Sequence, residues 1–307
     1  GGKLDRLDVD AAKAAIINHV AGPLGIDVME AAEAVIRVAN AKMAGAIRLV
    51  SVERGHDPEK FVAMPFGGGG SLHTGALIKE VGLSKALVPR FPGVTSALGC
   101  VIADMRFDRV HTLNVMLDDL DLEMLSRELT ETAKDGEKRL QEANVSFNGI
   151  EHVFELDMLY LGQTHTVAVR LPVAVVDDKA DINREIIQAS FEDAYRKSFG
   201  RLLDGIAMRV LNLRVTVVGR RPKFDLTILR PSGDTSVENA RIDSRQLWVE
   251  GKWWEADIYS RLDLPEGASV PGPALLEQPD TTIFIDPDLA GEVDHFGNLI
   301  ISRKDGK

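Results

Sequence analysis

The 307-residue sequence has one cysteine, three tryptophans and three tyrosines, and its 36 basic residues are outnumbered by 47 acidic ones. A single thiol, Cys100 in "SALGCVIAD", excludes an intrachain disulfide and any multi-cysteine metal cluster. The formal net charge of -11 excludes a general electrostatic surface for nucleic acid or anionic lipid, so any bound phosphate must be held locally. Long apolar runs are missing too. The alanine-rich stretch from Ala31 to Val52 is interrupted by Glu33, Arg37, Lys42 and Arg48, and nothing reads as a membrane span. With one cysteine and no disulfide a cytoplasmic location is expected, and no basic, apolar leader is seen; the chain opens on Gly1-Gly2-Lys3 without a methionine. The histidines show no metal-ligand spacing, and no Ser-His-Asp arrangement emerges.

A hydrophobic content of 45% over this length is enough for about two domains, each with its own core. Apolar spacing predicts a helix from Asp8 to about Val20, capped by Asp8 or Asp10 and stopped at Gly22-Pro23. A longer helix follows from about Met29 to Arg54, with Arg37, Asn40, Arg48 and Glu53 on a solvated face. Phe61 to Phe66 reads as a short buried strand, and Ser71 to Val81 as a helix that turns Leu72, Ala76 and Leu77 inward and stops at Gly82. Ala86 to Val88 and Thr95 to Met105 repeat the strand and helix, the pattern of an α/β layer. The character changes after Phe107. Strands at Arg109 to Met116, Val153 to Tyr160, Thr166 to Leu171 and Met208 to Gly219 enclose helices at about Leu120 to Ala143 and Ile182 to Phe199. From about Arg221 the chain has no convincing helix and reads as a small all-β segment.

"FVAMPFGGGGSLH", Phe61 to His73, is the stretch with the most chemistry. A strand that ends in glycines and opens into a helix presents free backbone N–H groups and the positive end of the helix dipole to an anion. Glycine permits close approach of the backbone and positive φ. The stretch fits neither G-x-x-x-x-G-K-[ST] nor G-x-G-x-x-G, since no lysine follows and Leu72 and His73 occupy the last glycine's place. Its alternatives are a local phosphate site or a plain connection. His73 either bonds a ligand or caps the loop, and Asp104 either holds a cation or pairs with Arg106 or Arg109.

Arg48 to Gly55, Phe66 to His73 and Pro92 to Gly99 resemble, in that order, recurring segments of the hydantoinase A/oxoprolinase family. "LYLGQTHTVAVRLP", "VLNLRVTVVGRRPK" and "IYSRLDLPEGASVPGPALLEQPDTTIFIDP" carry the resemblance to the end of the chain. It implies an α/β fold: the second lobe of an actin-like (sugar kinase/Hsp70/actin) ATPase over residues 1–112, an α+β domain over 113–222 and a β-rich C-terminal segment over 223–307. It further implies ATP with Mg as cofactor in the assembled enzyme, with Gly67, Gly68, Gly69, Gly70, Ser71 and His73 facing the nucleotide. The family's opening phosphate loop has no counterpart here, so an N-terminal lobe or larger subunit of hydantoinase A type is an implied partner, beside a hydantoinase B-type subunit. Family members usually have alanine at Gly69, proline at Ser71 and alanine at Thr74, an arginine where Leu159 stands and a glutamate where Thr166 stands. The implied activity is phosphorylation of an amide, lactam or enolised ketone. The chain would serve as the short subunit of an acetophenone carboxylase-like ligase, as a fragment of a ring-opening N-methylhydantoinase or 5-oxoprolinase, or as a scaffold that no longer binds nucleotide.

Overall fold

A computed structural model describes residues 7–176, 179–231 and 235–304; the Gly1-Gly2-Lys3 opening lies outside the described residues. The helices are α1 (Val9–Ile16), α2 (Val28–Val50), α3 (Thr74–Val81), α4 (Thr95–Ile102), α5 (Leu122–Glu142) and α6 (Arg184–Phe199). The main strands are β1 (Val62–Ala63), β2 (Lys85–Val88), β3 (Met105–Met116), β4 (Gly149–Tyr160), β5 (Val167–Arg170), β6 (Met208–Arg220), β7 (Arg241–Val249), β8 (Lys252–Ser260), β9 (Ser269–Pro271), β10 (Ala274–Gln278), β11 (Thr281–Ile285), β12 (Leu289–Val293) and β13 (Leu299–Arg303). Among the described residues, no helix is long and apolar enough to cross a membrane.

Three successive segments are expected from the sequence, but the chain divides into two units. One joins the residues up to Val101 with those from Asp225 onward, and the other runs from Ile102 to Phe224. The physical reason is sheet pairing. Strand β13 pairs antiparallel with β2, Leu299 opposite Val88 and Ile301 opposite Ala86, so the C-terminal β segment completes the sheet begun by residues 62–88. That sheet has the order β1-β2-β13-β12-β9, with β1 parallel to β2 at one edge. A second sheet, β11-β10-β8-β7, belongs to the same unit. Its core collects Ile78 of α3 with Val88, Leu276, Ile283, Leu299 and Ile301 from the strands, all fully buried.

The second unit is a four-stranded antiparallel sheet, β3-β6-β4-β5, with its apolar face against α5 and α6. Strand β6 keeps Leu213, Val215 and Val217 fully buried, and Thr216 and Val218 between and beside them are buried too, so the alternation in burial is lost from Val215 on. Opposite it, the register slips between Thr112 and Val115 of β3, where Asn114 takes a positive φ of 53°. Leu125, Leu129 and Ala133 of α5 meet Phe154, Leu156 and Met158 of β4 in the core.

Local differences from the expected elements have local causes. Asp8 caps α1 by accepting from the Ala11 N–H at 2.9 Å. Helical turns then continue past Gly22-Pro23 to Gly25, through a π-helical turn at Ile17–Ala21, and Pro23 sits in the first turn of the next helix, which tolerates it. Strand β1 is neither long nor buried: it has two residues at the sheet edge, and Phe61, Val62, Met64 and Phe66 are all exposed. In α3 the buried residues are Thr74, Gly75, Ile78 and Val81, whereas Leu72 before it is exposed, so the inward face lies around the helix from the expected one. Gly82 ends α3, its N–H donating to the Ile78 carbonyl at 3.1 Å.

Candidate functional site

The glycine loop starts where β1 ends and leads, through a 3-10 turn at Gly70–Leu72, into α3. Gly67 has φ of 81°, which a side chain would resist, and its N–H donates to the Pro92 carbonyl at 2.7 Å. Gly68 and Gly69 are exposed, and among the described residues neither N–H meets an acceptor. Gly70 and Gly69 use their carbonyls to accept from His73 and Leu72, tightening the turn. Ser71 is fully buried and Thr74 nearly so, at 2% exposure, and neither hydroxyl oxygen has a hydrogen-bond partner among the described residues. An unpaired buried hydroxyl is a cost the fold tolerates at few places.

His73 is fixed from α2: its Nδ1 donates to Asn40 Oδ1 at 2.7 Å. Asn40 is buried at 6% exposure, which corrects its expected place on the solvated face of the long helix. The imidazole is thus committed within the chain through one ring nitrogen. Nothing in apolar spacing alone distinguishes Asn40 from its exposed helical neighbours.

Beside the loop, a cleft of about 1020 Å³ is lined by residues including Asn40, Leu72, Lys79, Trp248, Glu250 and Asp286; Gly67 to Gly70 are not among its walls. Glu33 of α2 closes one side by accepting from Trp248 Nε1 at 2.8 Å and from the Gly251 N–H at 3.1 Å. Lys79 reaches three carboxylates, Glu250 at 2.9 Å, Asp286 at 3.0 Å and Asp288 at 3.3 Å. Burial opposes the Lys79 charge, yet the bonds from Glu250 and Asp286 prevail and hold its ammonium above the usual lysine range. Burial pushes the Asp286 carboxyl up, against the pull of Lys79. Asp286 also presses on α3: a Cβ added to Gly75 would lie 1.6 Å from its Oδ2.

The loop has a second tether, from the far end of the sequence. Thr281 Oγ1 donates to the Gly68 carbonyl at 2.9 Å and lies 3.4 Å from that of Gly67. Asp280 Oδ2 accepts from the Gly93 N–H at 2.9 Å. These residues belong to the acid-Thr-Thr segment "DTT", whose resemblance carries no role by itself. Asp104 lies elsewhere and pairs with neither Arg106 nor Arg109; it bonds Arg220 at 2.6 Å and the Arg221 N–H at 2.8 Å.

Known structures share this α/β architecture. The crystal structure of ATP-dependent caprolactamase from Pseudomonas jessenii superposes with a TM-score of 0.73 at 27% identity, over 99% of this chain and 44% of that one. The layout is consistent with an actin-like ATPase-type fold. The hydantoinase/oxoprolinase profile matches residues 2–109 and the profile of the hydantoinase/oxoprolinase C-terminal domain matches residues 120–302. The chain belongs to the hydantoinase/oxoprolinase family. It is 30% identical to the caprolactamase subunit alpha of Pseudomonas jessenii, over 94% of this chain and 41% of that protein. It is also 30% identical to the acetone carboxylase beta subunit of Xanthobacter autotrophicus, over 93% of this chain and 40% of that protein. The chain therefore spans about two-fifths of the length of these relatives.

Proposed function

We propose that the chain is the C-terminal portion, or a subunit, of an ATP-dependent enzyme that activates an amide, lactam or enolised ketone by phosphorylating its oxygen. One observation carries this reading: exposed Gly68 and Gly69, whose N–H groups meet no acceptor among the described residues, lead into the N-terminus of α3, with the buried, unpartnered hydroxyls of Ser71 and Thr74 beneath. Neutral donors at a helix start suit a phosphate on a chain whose overall charge would repel one. Gly68 and Gly69 would face the phosphates, while Gly67, whose N–H is bonded to Pro92, Gly70 and the buried Ser71 would shape the turn around them. His73, already oriented by Asn40, would close the end of the loop.

ATP, carrying Mg, supplies the phosphoryl group that makes a poor electrophile or a weak enol nucleophile reactive, and catalysis of its transfer is mostly positioning and charge neutralisation. The partners in this reading are a hydantoinase A-type N-terminal lobe or larger subunit, which brings the rest of the phosphate chemistry, and a hydantoinase B-type subunit. Relatives named as caprolactamase and acetone carboxylase subunits support the lactam and ketone branches alike.

Assay of ATP hydrolysis by the reconstituted complex separates the branches. Turnover with hydantoin, oxoproline or caprolactam alone assigns cyclic-amide opening. Turnover only with acetophenone or acetone plus bicarbonate assigns a carboxylase. Absence of nucleotide-dependent turnover with both classes contradicts the proposal and leaves a scaffold.

A further inference from the structure

Thr281 and Asp280 sit at the turn from β10 into β11, more than 200 positions beyond the glycine loop, yet they touch it and its support. The Thr281 hydroxyl bridges the carbonyls of Gly68 and Gly67. Both carbonyls are thereby turned toward β11. Asp280 secures the neighbouring turn through the Gly93 N–H, and the Pro92 carbonyl of that turn receives the Gly67 N–H. The fit around this arrangement is tight. A Cβ on Gly93 would lie 2.6 Å from the Asp280 carboxylate, and one on Gly68 would lie 3.5 Å from the Asp280 carbonyl oxygen. Thr281 is itself buried at 6% exposure, so its bond to the loop is shielded from competing water.

We propose that Thr281 and Asp280 are positioning residues that hold the glycine loop in the one conformation that presents the Gly68 and Gly69 N–H groups to phosphate. A peptide unit whose carbonyl is fixed has its N–H direction fixed as well, because the unit is planar. Thr281 acts on the peptide unit between Gly68 and Gly69, and so on the Gly69 N–H; by its longer contact to Gly67 it acts on the Gly68 N–H. Four glycines in a row would otherwise sample many conformations, and the entropy of ordering them would weaken any ligand that had to select one. The C-terminal β segment thus has a role at the candidate site although it is remote from it in sequence.

The inference rests on the assignment of the loop to nucleotide phosphate, and two readouts keep the two apart. Thr281→Val retains shape and removes the hydroxyl; Thr281→Ser restores it. Hydrogen exchange of the peptide spanning residues 61–73, measured on this chain alone, is expected to quicken about tenfold in Thr281→Val and to return toward the original rate in Thr281→Ser. Asp280→Ala provides a second variant with the same expected direction. In the assembled enzyme, the KM for MgATP should rise about tenfold in Thr281→Val, with a smaller change in kcat. Unaltered loop exchange in both Thr281→Val and Asp280→Ala overturns the positioning role. Quickened exchange with an unaltered KM for MgATP leaves the clamp in place and overturns the assignment of the loop to nucleotide.

Discussion

In residues 102–224 several polar side chains are matched to one another, although Arg209 Nε is buried there without a partner among the described residues. Arg214 Nε donates to Asp157 at 2.9 Å, Asn212 to the same carboxylate at 2.8 Å, and Arg220 joins Asp104 at 2.6 Å and also binds Glu151. In the other unit the hydroxyls of Ser71 and Thr74 and guanidinium nitrogens of Arg90 and Arg261 are buried without partners among the described residues. Apolar surface follows the same division: eighteen of the exposed large apolar residues lie before residue 102, against six in residues 102–224. Unsatisfied donors and exposed apolar edges mark where another molecule is to be met. The candidate site accordingly lies in the less self-sufficient unit.

The largest expected effects come from filling close approaches in both units. Gly75→Ala would drive a methyl into the Asp286 carboxylate and towards Leu289, and a loss of roughly 3 kcal/mol is expected by urea unfolding. Gly136→Ala in α5 meets the side chains of Val217 and Phe107 at 2.5 and 2.8 Å. Those apolar groups can shift more readily than a carboxylate held by Lys79, so roughly 1–2 kcal/mol is expected there. A reversed order would break the comparison.

Acid should separate the units next. Burial raises the Asp157 carboxyl, but the bonds from Arg214 and Asn212 and the Arg214 charge outweigh it, and the net result lies below the usual value of 3.8. A depressed folded value gives stability that is present above 3.8 and is lost as pH falls through it. Asp286 has the opposite sign: its raised value gives a contribution present below 3.8 and lost as pH rises through the folded value. Trp248, Trp253 and Trp254 all lie in the first unit, so their fluorescence reports that unit alone. Between about pH 5 and pH 2, hydrogen-exchange protection in β4, taken relative to the intrinsic exchange rate at each pH, should therefore fall before tryptophan fluorescence changes. Asp157→Asn should cost about 1–2 kcal/mol at neutral pH and flatten part of that acid dependence.

The smallest effects should carry the opposite sign. Ser71→Ala and Thr74→Val remove hydroxyls that have no partner, so each should leave stability unchanged or raise it by up to about 1 kcal/mol in thermal unfolding without nucleotide. A clear loss in either variant would show that the hydroxyl is satisfied in solution and would weaken the contrast between the units.

Much of the secondary structure was legible because it follows period and caps. The alternation in "LRVTVVG" placed β6, and the stop at Gly82 placed the end of α3. The pairing of β2 with β13 was not legible, since 299–303 and 85–88 are short apolar runs that could join many neighbours. For the same reason the edge strand after Phe61 read as buried: periodicity does not say whether a strand has one neighbour or two. The glycine loop was visible as a local chemical pattern. Asn40, Asp280 and Thr281 were not assignable from spacing, because their contacts to His73, Gly93 and Gly68 are fixed only by tertiary packing.

The central claim is that Gly68 and Gly69 offer their N–H groups to a phosphate. Gly68→Ala tests it most directly. The added methyl would stand at ordinary contact distance, 3.5 Å from the Asp280 carbonyl oxygen, and Gly68 does not need a positive φ, so the fold should lose less than about 1 kcal/mol. On the proposed assignment, a side chain at this position would nevertheless crowd a phosphate held closely by the neighbouring backbone. The account predicts unchanged thermal unfolding with at least a tenfold weaker affinity for MgATP in the assembled enzyme. Unchanged affinity in a folded Gly68→Ala enzyme would contradict it.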